Sequence, residues 1–514
     1  MGLIKLISNL NSSTKTELLG ENITKILRYT FVQSDYDVVD DFVINEAVAL
    51  QVGEDLVRRK KDLLLESCRL QELRKFGFDS HDEAIKHYEK NPSAFVNDFE
   101  IEEEYLQAPL KDDRVQYEID IPKYGECNGV NAFPHDYQFR LKSLIVHKFF
   151  NNLNPVILAS MPTGAGKTVL GMEIIVDLIR SYSTFKKKNI KCLWLVTSKE
   201  LSEQSLKSFQ KVWKQKGDQP VIAERYFGRF NNIKETTITK ITFATFDLLV
   251  SRRDSLEGKS LLKETDFLFI DEAHSSDAFT YADVIQQYKS SNPNYKILGL
   301  TATPHRSEDT EFKTLKDLFT DYLTLTDEHG AQVESPLQFL IDRQYLAKIR
   351  FEILDISEGG IGLAEYFRTL HNAVLNQCKW LLNNSMNTII FAKSKAHAVA
   401  LSIYLKQNEI ENGLIVGETS DQKRGELLSR FGDKKDSLSV LVNHQILSTG
   451  IDVPGMNSIM VLSDINSPTL ALQILGRAMR GPKNGGNYEN IIFLTPTNQQ
   501  KLKEYKILEN IVLN

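Results

Sequence analysis

The sequence has little cysteine and no pair of cysteines spaced to hold a metal ion. Its 514 residues include four cysteines, and no two of them form a CxxC pair. The missing spacing excludes a zinc site of the CxxC type, and the length excludes a small fold held by disulfides. We expect reduced, buried thiols at the four positions, which are Cys68, Cys127, Cys192 and Cys378.

Long apolar runs are also missing. No stretch of about 18 uncharged apolar residues occurs, so the sequence predicts no membrane-spanning helix. The start, from Met1 to Leu6, is too short an apolar run for a secretory signal. Leu6 also stands where N-myristoylation of Gly2 needs Ser or Thr, so no lipid anchor is expected. We predict a cytoplasmic protein.

Charge is distributed unevenly along the chain. The whole sequence has 62 basic and 68 acidic residues, a net charge of −6, whereas residues 1–130 contain 16 basic and 26 acidic residues. The balance of −10 in this segment leaves +4 for the remainder. Because so acidic a segment repels polyanions, we expect residues 1–130 to dock a protein partner or to regulate the rest of the chain.

The rest of the composition is that of a folded globular protein, with 42% hydrophobic and 25% charged residues. The length predicts about three domains. Apolar residues at helical spacing predict a helix over 45–76, which Gly53 could interrupt. They predict a second helix over 82–89, with Ser80 as its N-cap and Pro92 as its end. Residues 1–130 are therefore expected to be mainly helical.

Beyond residue 130, short apolar runs alternate with helical patterns, which is typical of parallel α/β units. The runs fall into two sets, so we predict an α/β fold with domains over 131–345 and 346–514. A mixed segment over 334–362 ends in Glu358, Gly359 and Gly360, which we interpret as a hinge. The predicted strands are 155–159, 192–196, 241–243, 267–270, 296–300, 388–391, 413–416, 438–442, 458–462 and 490–494.

The first predicted strand leads into a glycine-containing turn, followed by Lys167, Thr168 and an apolar helix over 169–179. Glycines allow backbone N–H groups to approach phosphates, and a helix N-terminus adds the positive end of its dipole. Lys167 can reach the β- and γ-phosphates of a nucleotide, and Thr168 can ligate Mg²⁺. The turn therefore predicts a site for ATP and Mg²⁺, although Met161 replaces the first glycine of the general pattern.

A second motif, Asp271-Glu272-Ala273-His274, follows the predicted strand 267–270 and lies 104 residues beyond Lys167. An Asp at the end of such a strand can hold Mg²⁺ through water. The adjacent Glu can orient and deprotonate an attacking water molecule. Behind a hydrophobic strand and downstream of the phosphate-binding turn, this motif predicts a site for nucleotide hydrolysis.

In this order and placement the two motifs resemble those of superfamily 2 DEAD/DEAH-box helicases. Other blocks of that family follow in the family's order over about 133–480. The resemblance implies two tandem RecA-like parallel-sheet domains behind the mainly helical N-terminal region, with Gln138 reading adenine. The residues implied to bind nucleotide are Gln138, Thr163, Gly164, Ala165, Gly166, Lys167, Thr168, Gly450 and Asp452.

The resemblance implies further roles. The residues implied to couple the nucleotide site to the nucleic-acid site are His274, Thr301 and Thr303. Those implied to contact the nucleic-acid backbone are Thr197, Ser198, Thr245, Lys393, Ser394 and Thr449. The implied catalytic residues are Lys167, Asp271, Glu272, Gln473, Arg477 and Arg480, with Thr168 and Asp271 at the metal. Because Arg477 and Arg480 are three residues apart, on a helix they would share one face and reach phosphoryl oxygens across a cleft.

Within the superfamily, the chain is most similar to the branch of restriction-enzyme motor subunits and related DNA translocases. RNA helicases of the DEAD-box branch usually have Asp in place of His274, Ser in place of Thr301 and His-Arg in place of Gln473-Ile474. These departures favour DNA over RNA as the partner. The resemblance also implies a place in a restriction or antiviral defence system.

We therefore expect a nucleic-acid-dependent ATPase that works as a helicase or translocase. An ATP-controlled switch that senses nucleic acid and recruits an effector remains an alternative, as does an RNA helicase. A scaffold with an inactive motor is disfavoured because the catalytic residues are all present. Nuclease-like strings at Asp309, Glu311 and Lys313 and at 504–506 lack the hairpin context of a nuclease, so any cleavage is expected from a partner.

Overall fold

The structure is a computed structural model of the chain. It describes residues 2–32, 38–101, 105, 114–120, 134–186, 189–271, 278–302, 318–356, 362–417, 419–433, 436–444, 453, 455–505 and 507.

The N-terminal region is rich in helix, as predicted, but its helices are shorter than the sequence suggests. The single helix predicted over 45–76 is wrong, because the backbone leaves the helical conformation at Lys60 (φ −129°, ψ 32°). Gly53 lies inside a helix, where a Cβ would meet the Tyr105 ring at 2.9 Å. The described helices here are α1 Gly2–Ser8, α2 Ser12–Leu19, α3 Glu21–Phe31, α4 Asp41–Arg59, α5 Lys61–Glu66, α6 Leu70–Arg74, α7 His81–Lys90 and α8 Pro92–Asp98.

The predicted cap at Ser80 is confirmed. Its side chain accepts a hydrogen bond from the backbone N–H of Glu83 at 3.2 Å and so satisfies one of the first N–H groups of α7. Pro92 follows α7 and occupies the first turn of α8, where its missing N–H leaves no bond unmade.

The first sheet has eight strands among the described residues, in the order β1-β4-β5-β3-β6-β7-β2-β8. Only β1 runs antiparallel to its neighbour. The strands are β1 Gln116–Ile119, β2 Val156–Ser160, β3 Lys191–Val196, β4 Val221–Tyr226, β5 Lys240–Thr245, β6 Phe267–Ile270, β7 Ile297–Thr301 and β8 Asp321–Leu323. The accompanying helices are α9 Asp136–Asn151, α10 Lys167–Lys186, α11 Lys199–Lys216, α12 Phe246–Arg252, α13 Leu256–Glu264 and α14 Ala278–Ser291.

The second sheet is parallel throughout and has the order β11-β12-β10-β13-β14-β9. Its strands are β9 Lys348–Ile353, β10 Thr388–Phe391, β11 Gly413–Ile415, β12 Val440–Asn443, β13 Ser458–Val461 and β14 Glu489–Leu494. The helices from the end of the first sheet onward are α15 Pro336–Asp342, α16 Leu363–Asn383, α17 Lys395–Gln407, α18 Asp421–Gly432, α19 Pro468–Ala478 and α20 Pro496–Glu504.

All ten predicted strands are confirmed to within two residues at each end, and the α/β class with two parallel sheets is confirmed. Four strands escaped prediction, namely β1, β4, β8 and β9. In β4 the reason is clear, because Glu224 and Arg225 interrupt the apolar pattern although both are buried. Glu224 accepts from Lys240 Nζ at 2.8 Å, and a paired charge of this kind is tolerated inside a sheet.

The crossing between the two sheets lies earlier than the glycines of the predicted hinge. Leu346 still belongs to the core of the first sheet, whereas Lys348 already begins β9 in the second. The glycine pair at 359–360 lies outside the described residues. The chain therefore passes from one half to the other within two residues.

The helical N-terminal region packs on the second half of the molecule. Its core includes Leu27, Val43 and Ala47 and continues into the face of α17 that carries Val399 and Ile403. Tyr29 of α3 stacks on Phe367 of α16 with ring centres 6.2 Å apart. In contrast, β1, which follows these helices in the chain, lies at the margin of the first sheet.

The structure also bears on the cysteines and on membrane-spanning helices. Cys68, Cys192 and Cys378 are buried and form no disulfide, as predicted, while Cys127 lies outside the described residues. Among the described helices, none has both the length and the apolar character that crossing a bilayer requires.

Candidate nucleotide site and nucleic-acid interface

The phosphate-binding turn lies between β2 and α10. Gly164 and Gly166 have φ values of 81° and 79°, in the left-handed region that favours glycine. Met161, at the position of the missing glycine, is buried in the core of the first sheet, and its N–H donates to the Thr301 carbonyl at 3.0 Å. The turn is therefore anchored to the end of β7 through residue 161, and its two glycines shape the part next to Lys167.

The two predicted metal-site residues are in direct contact. The Thr168 hydroxyl donates to Asp271 Oδ2 at 2.9 Å, which joins the start of α10 to the end of β6. Asp271 and Lys167 are both buried. The described residues contain no group of three or more metal-binding side chains. A hydroxyl and one carboxylate nevertheless fit Mg²⁺, which takes oxygen ligands and completes its shell with phosphate and water.

Part of the predicted site cannot be placed. Glu272 and His274 of the DEAH motif, Thr303 after β7, and Thr449, Gly450 and Asp452 before β13 lie outside the described residues. Thr301 is described, and it is buried at the end of β7. Their roles therefore remain predictions.

Gln138 lies beneath the phosphate-binding turn. Its Nε2 donates to the Ala165 carbonyl at 3.0 Å, and its Oε1 accepts from the His135 N–H at 2.9 Å, so the side chain also caps α9. Tyr137 donates to the same carbonyl at 3.0 Å. A Cβ on Gly166 would approach Gln138 Nε2 to 2.7 Å. In this structure, therefore, Gln138 supports the turn from below.

The end of α19 in the second half lies against the turn. The Gly476 carbonyl oxygen lies 3.2 Å from the point where Gly164 would carry a Cβ, and a Cβ on Gly476 would meet Thr163 Cγ2 at 2.0 Å. Gln473 and Arg477 belong to this same helix, which ends at Ala478. The helix that carries two of the predicted catalytic residues, Gln473 and Arg477, thus ends beside the phosphate-binding turn.

One expectation about the arginines is wrong. Arg480 lies beyond the end of α19, so it does not share a helical face with Arg477. It forms a β-bridge with Leu346, and its Nε donates to the Asn484 carbonyl at 2.6 Å. The glycines at 481, 485 and 486 favour a turn after α19. This turn, and not a continuation of the helix, determines the position of Arg480.

Sequence reasoning missed a set of contacts between this turn and the start of α9. The Asn484 side chain bonds the His135 ring nitrogen at 2.5 Å and donates to the Tyr345 carbonyl at 2.7 Å. The Tyr345 ring packs on the rings of His135 and Tyr137, with centres 4.7 and 4.8 Å away. The aromatic residues just before Gln138 could have indicated these contacts, whereas nothing in the sequence indicates a role for Asn484.

Three predicted nucleic-acid contacts line one cleft of about 540 Å³ at the carboxyl edge of the first sheet. Thr197 and Ser198 follow β3, and Thr245 ends β5. Ser198 also caps α11, because its hydroxyl accepts from the Leu201 N–H at 3.2 Å. Gly228 forms another part of the wall. Hydroxyl groups and a helix N-terminus are groups that bind phosphate oxygens.

The corresponding residues of the second half follow β10. Lys393 Nζ donates to Asp464 Oδ1 at 2.7 Å. Burial opposes the Lys393 charge, but the hydrogen bond to Asp464 and the electrostatic interactions with Tyr366 and Asp464 outweigh it and raise the pKa of Lys393 above its ordinary value. Ser394 caps α17 by accepting from the His397 N–H at 3.1 Å. Lys393 is therefore a fixed positive charge.

The fold and site define a protein of two α/β halves, each built on a mainly parallel sheet, with a phosphate-binding turn in the first half and α19 of the second half against it. Residues 132–306 match the family model described as type III restriction enzyme, res subunit, and residues 369–482 match the helicase conserved C-terminal domain. Together the two models cover more than half of the chain, which belongs to the superfamily 2 helicases.

Similar proteins agree with this family. The putative ATP-dependent helicase IRC3 of Saccharomyces cerevisiae is 24% identical over 62% of this chain and 46% of its own length. The EcoKI endonuclease subunit, a type I restriction enzyme of Escherichia coli K12, is 24% identical over 63% of this chain and 31% of its own length. The structure of Mss116p bound to single-stranded RNA and AMP-PNP has a TM-score of 0.51 and 16% identity, covering 72% of this chain and 71% of that one. The chain spans less than half the length of either of the two relatives.

Proposed function

We propose that the protein hydrolyses ATP when nucleic acid is bound and uses the cycle to move along DNA. The observation that carries the proposal is the bond between Thr168 and Asp271 beside the buried Lys167, with α19 of the second half against the same turn. Such a site can hold a triphosphate between two halves whose approach completes the catalytic groups.

Each residue then has a chemical task. Lys167 and the N–H groups of the turn hold the phosphate oxygens, and Thr168 and Asp271 hold Mg²⁺. The metal, when bound, neutralises charge that develops on the phosphates. Glu272 takes the proton of the attacking water, and Arg477 supplies positive charge from the second half. Movement of α19 away from the turn withdraws that charge, which makes closure of the two halves a condition for hydrolysis.

DNA is the proposed partner, within a restriction or antiviral defence system. The support comes from the res-subunit model over residues 132–306, from the restriction-enzyme relative, and from His274, Thr301 and Gln473 at positions where the RNA-helicase branch usually differs. We also propose domains over 131–345 and 346–514, and a regulatory or partner-docking role for residues 1–130. The packing of α3 on α16 and α17 supports a restraint on the second half. A cytoplasmic location stays a prediction.

The test compares ATP hydrolysis with no nucleic acid and with single-stranded DNA, duplex DNA, single-stranded RNA and duplex RNA of equal length. We expect DNA to stimulate turnover more than RNA. Greater stimulation by either RNA would transfer the proposal to RNA, and no stimulation by any of the four would contradict a nucleic-acid motor.

Glu272→Gln provides the matched catalytic control. The amide can hydrogen-bond the water molecule but cannot accept its proton, so we expect ATP binding to persist and turnover to fall by about a hundredfold or more. Binding is measured with a fluorescent ATP analogue and turnover by phosphate release. Wild-type turnover in this variant would remove Glu272 from the mechanism.

The second candidate is an ATP-controlled switch that clamps nucleic acid without sustained movement. The closed contact between Gly476 and the phosphate-binding turn would serve either function. Displacement of a triplex-forming strand from DNA tracks of increasing length separates them. A lag that grows with track length indicates movement, whereas displacement restricted to the shortest tracks favours the switch.

A further inference from the structure

A ladder of alternating arginine and aromatic side chains crosses the margin of the first sheet. The Arg225 guanidinium lies between the rings of Tyr117 and Phe230, 4.8 and 5.0 Å from their centres. Arg114 lies over the Tyr117 ring at 4.5 Å, and Arg229 lies over the Phe230 ring at 5.0 Å. Five side chains, from Arg114 before β1, from β1, from β4 and from the turn after β4, thus form one stack.

The two ends of the ladder differ from its middle. Arg225 is buried and bonds Glu203 through two N–H groups at 2.8 and 2.5 Å, so its charge is balanced. Arg114 and Arg229 are exposed. Exposed guanidinium groups in one line present positive charge and N–H donors to a polyanion laid along that edge. Stacking on a ring uses the face of a guanidinium, whereas its N–H donors point outward in its plane.

The ladder continues the cleft of the first sheet. Phe227 and Phe230 form a bridge that closes a tight turn, with Gly228 at φ 60°, and Arg229 lies at its tip. Gly228 lines the cleft beside Ser198, and a Cβ on it would lie 3.3 Å from the Lys199 side chain. Arg229 is therefore next in sequence to a cleft residue.

The charges of the residues around the cleft differ from one side to the other. Glu200 and Asp247 also line the cleft and would repel phosphates near them, whereas Gly228 adjoins Lys199 and Arg229. Arg114 precedes β1, whose residue Gln116 pairs with Glu224, so Arg114 lies beside the carboxyl end of β4. That is the same edge of the sheet on which the cleft opens.

We propose that Arg114 and Arg229 extend the nucleic-acid interface from the cleft across the margin strand β1, each contacting a backbone phosphate. The inference rests on the proposed function, since it assigns a path to the nucleic acid that the motor binds. It also gives β1, from the otherwise acidic region 1–130, a direct part in that binding.

The test measures binding of a labelled 30-nucleotide oligo(dT) to the full-length protein by fluorescence anisotropy at several salt concentrations. In the double variant Arg114→Ala/Arg229→Ala we expect the affinity to fall about tenfold or more at low salt. The slope of log affinity against log salt should become shallower by about 1.4, since each phosphate contact on a single strand contributes about 0.7. Arg114→Lys/Arg229→Lys keeps the charge and should recover the wild-type slope.

A matched control removes two arginines that are also exposed but lie on the N-terminal helices. Arg59→Ala/Arg74→Ala makes the same change in net charge and should leave affinity and slope near wild type. A wild-type slope in Arg114→Ala/Arg229→Ala, whether or not affinity falls, would overturn the inference and leave the proposed function intact. Wild-type protein that binds neither DNA nor RNA would overturn the proposed function and the inference with it.

Discussion

A single hydroxyl joins the two motifs of the nucleotide site. Thr168 stands at the start of α10 and Asp271 at the end of β6, and their contact at 2.9 Å spans 103 positions of sequence. Each motif was predictable from local sequence because a phosphate-binding turn and a strand-end carboxylate are properties of short segments. Their contact depends on the parallel order of β2, β7, β6 and β3, which sequence alone did not fix.

Thr168→Val should reduce ATP turnover about ten- to a hundredfold. The substitution keeps the shape but removes the group that bonds Asp271 and fits the metal, and a hydrogen bond to a charged group contributes about 1.5–3 kcal/mol. Thr168→Ser, which retains the hydroxyl, is the control and should stay within a few-fold of wild type. Turnover is measured by phosphate release over a range of Mg²⁺ concentrations. Equal activity of the two variants would contradict the role of the hydroxyl.

Gly476→Ala should weaken nucleic-acid-stimulated hydrolysis by about tenfold, because the new methyl group would overlap Thr163 Cγ2 and hold the two halves apart. Thr163→Ser removes that methyl group, so the double variant should recover part of the loss. The four proteins form a double-mutant cycle, measured as stimulated and unstimulated ATPase rates. Strictly additive effects would show that the contact between Gly476 and Thr163 does not govern closure.

At the scale of helices and strands, the sequence predicted what is locally periodic. Apolar runs identified ten strands, and helical spacing identified the helical character of the N-terminal region but not the division of 45–76 into separate helices. The prediction failed where tertiary contacts replace local pattern: at Arg225, whose buried charge is balanced by Glu203, and at Arg480, whose position is set by a turn. The contacts of Asn484 with His135 and Tyr345 likewise join distant segments, so no local signal could reveal them.

A buried histidine pair joins α16 to α17. The Lys393 N–H donates to His397 Nδ1 at 3.1 Å, so His397 carries its proton on Nε2 and donates it to His371 Nε2 at 3.0 Å. Burial lowers the pKa of His371 to about 3. Burial and the neighbouring His371 also hold the pKa of His397 well below its ordinary value. Both rings are therefore neutral in the folded protein at physiological pH.

This pair predicts a loss of stability in acid. Below pH 6.5 the unfolded chain takes up a proton at His371 that the folded chain does not bind until about pH 3, so stability falls progressively as the pH drops through this window. His371→Gln keeps an acceptor for His397 and removes this titration. Melting temperatures between pH 8 and 4.5 should fall less steeply in the variant. Parallel curves for the two proteins would contradict the assignment.

At the scale of the whole molecule, the acidic N-terminal region is divided between the two halves. From charge alone, residues 131–514 are expected to retain nucleic-acid affinity. The structure changes this expectation, because truncation at 131 also removes β1, the antiparallel margin strand of the first sheet, together with Arg114. Truncation before residue 102 would remove the helices and leave β1 in place.

We therefore expect the chain 102–514 to bind DNA at fixed salt within a few-fold of full-length protein, and the chain 131–514 to bind at least about tenfold more weakly. Both truncations expose the apolar face of α17 that carries Val399 and Ile403, so circular dichroism and melting temperature are measured alongside anisotropy. Equal affinity of the two folded truncations would show that β1 has no part in binding.

The divided N-terminal region also limits how far the two halves can separate. The chain links the two halves twice, once between Tyr105, which packs on the N-terminal helices, and Arg114, and once between Leu346 and Lys348. The eight residues between Tyr105 and Arg114 let the first link span at most about 30 Å, while the second link is almost without slack. Because the second link is short, the two halves can rotate about it. The length of the first link limits how far they can rotate. Separation of the two halves thus has a built-in end point, which is set by the number of residues between Tyr105 and Arg114.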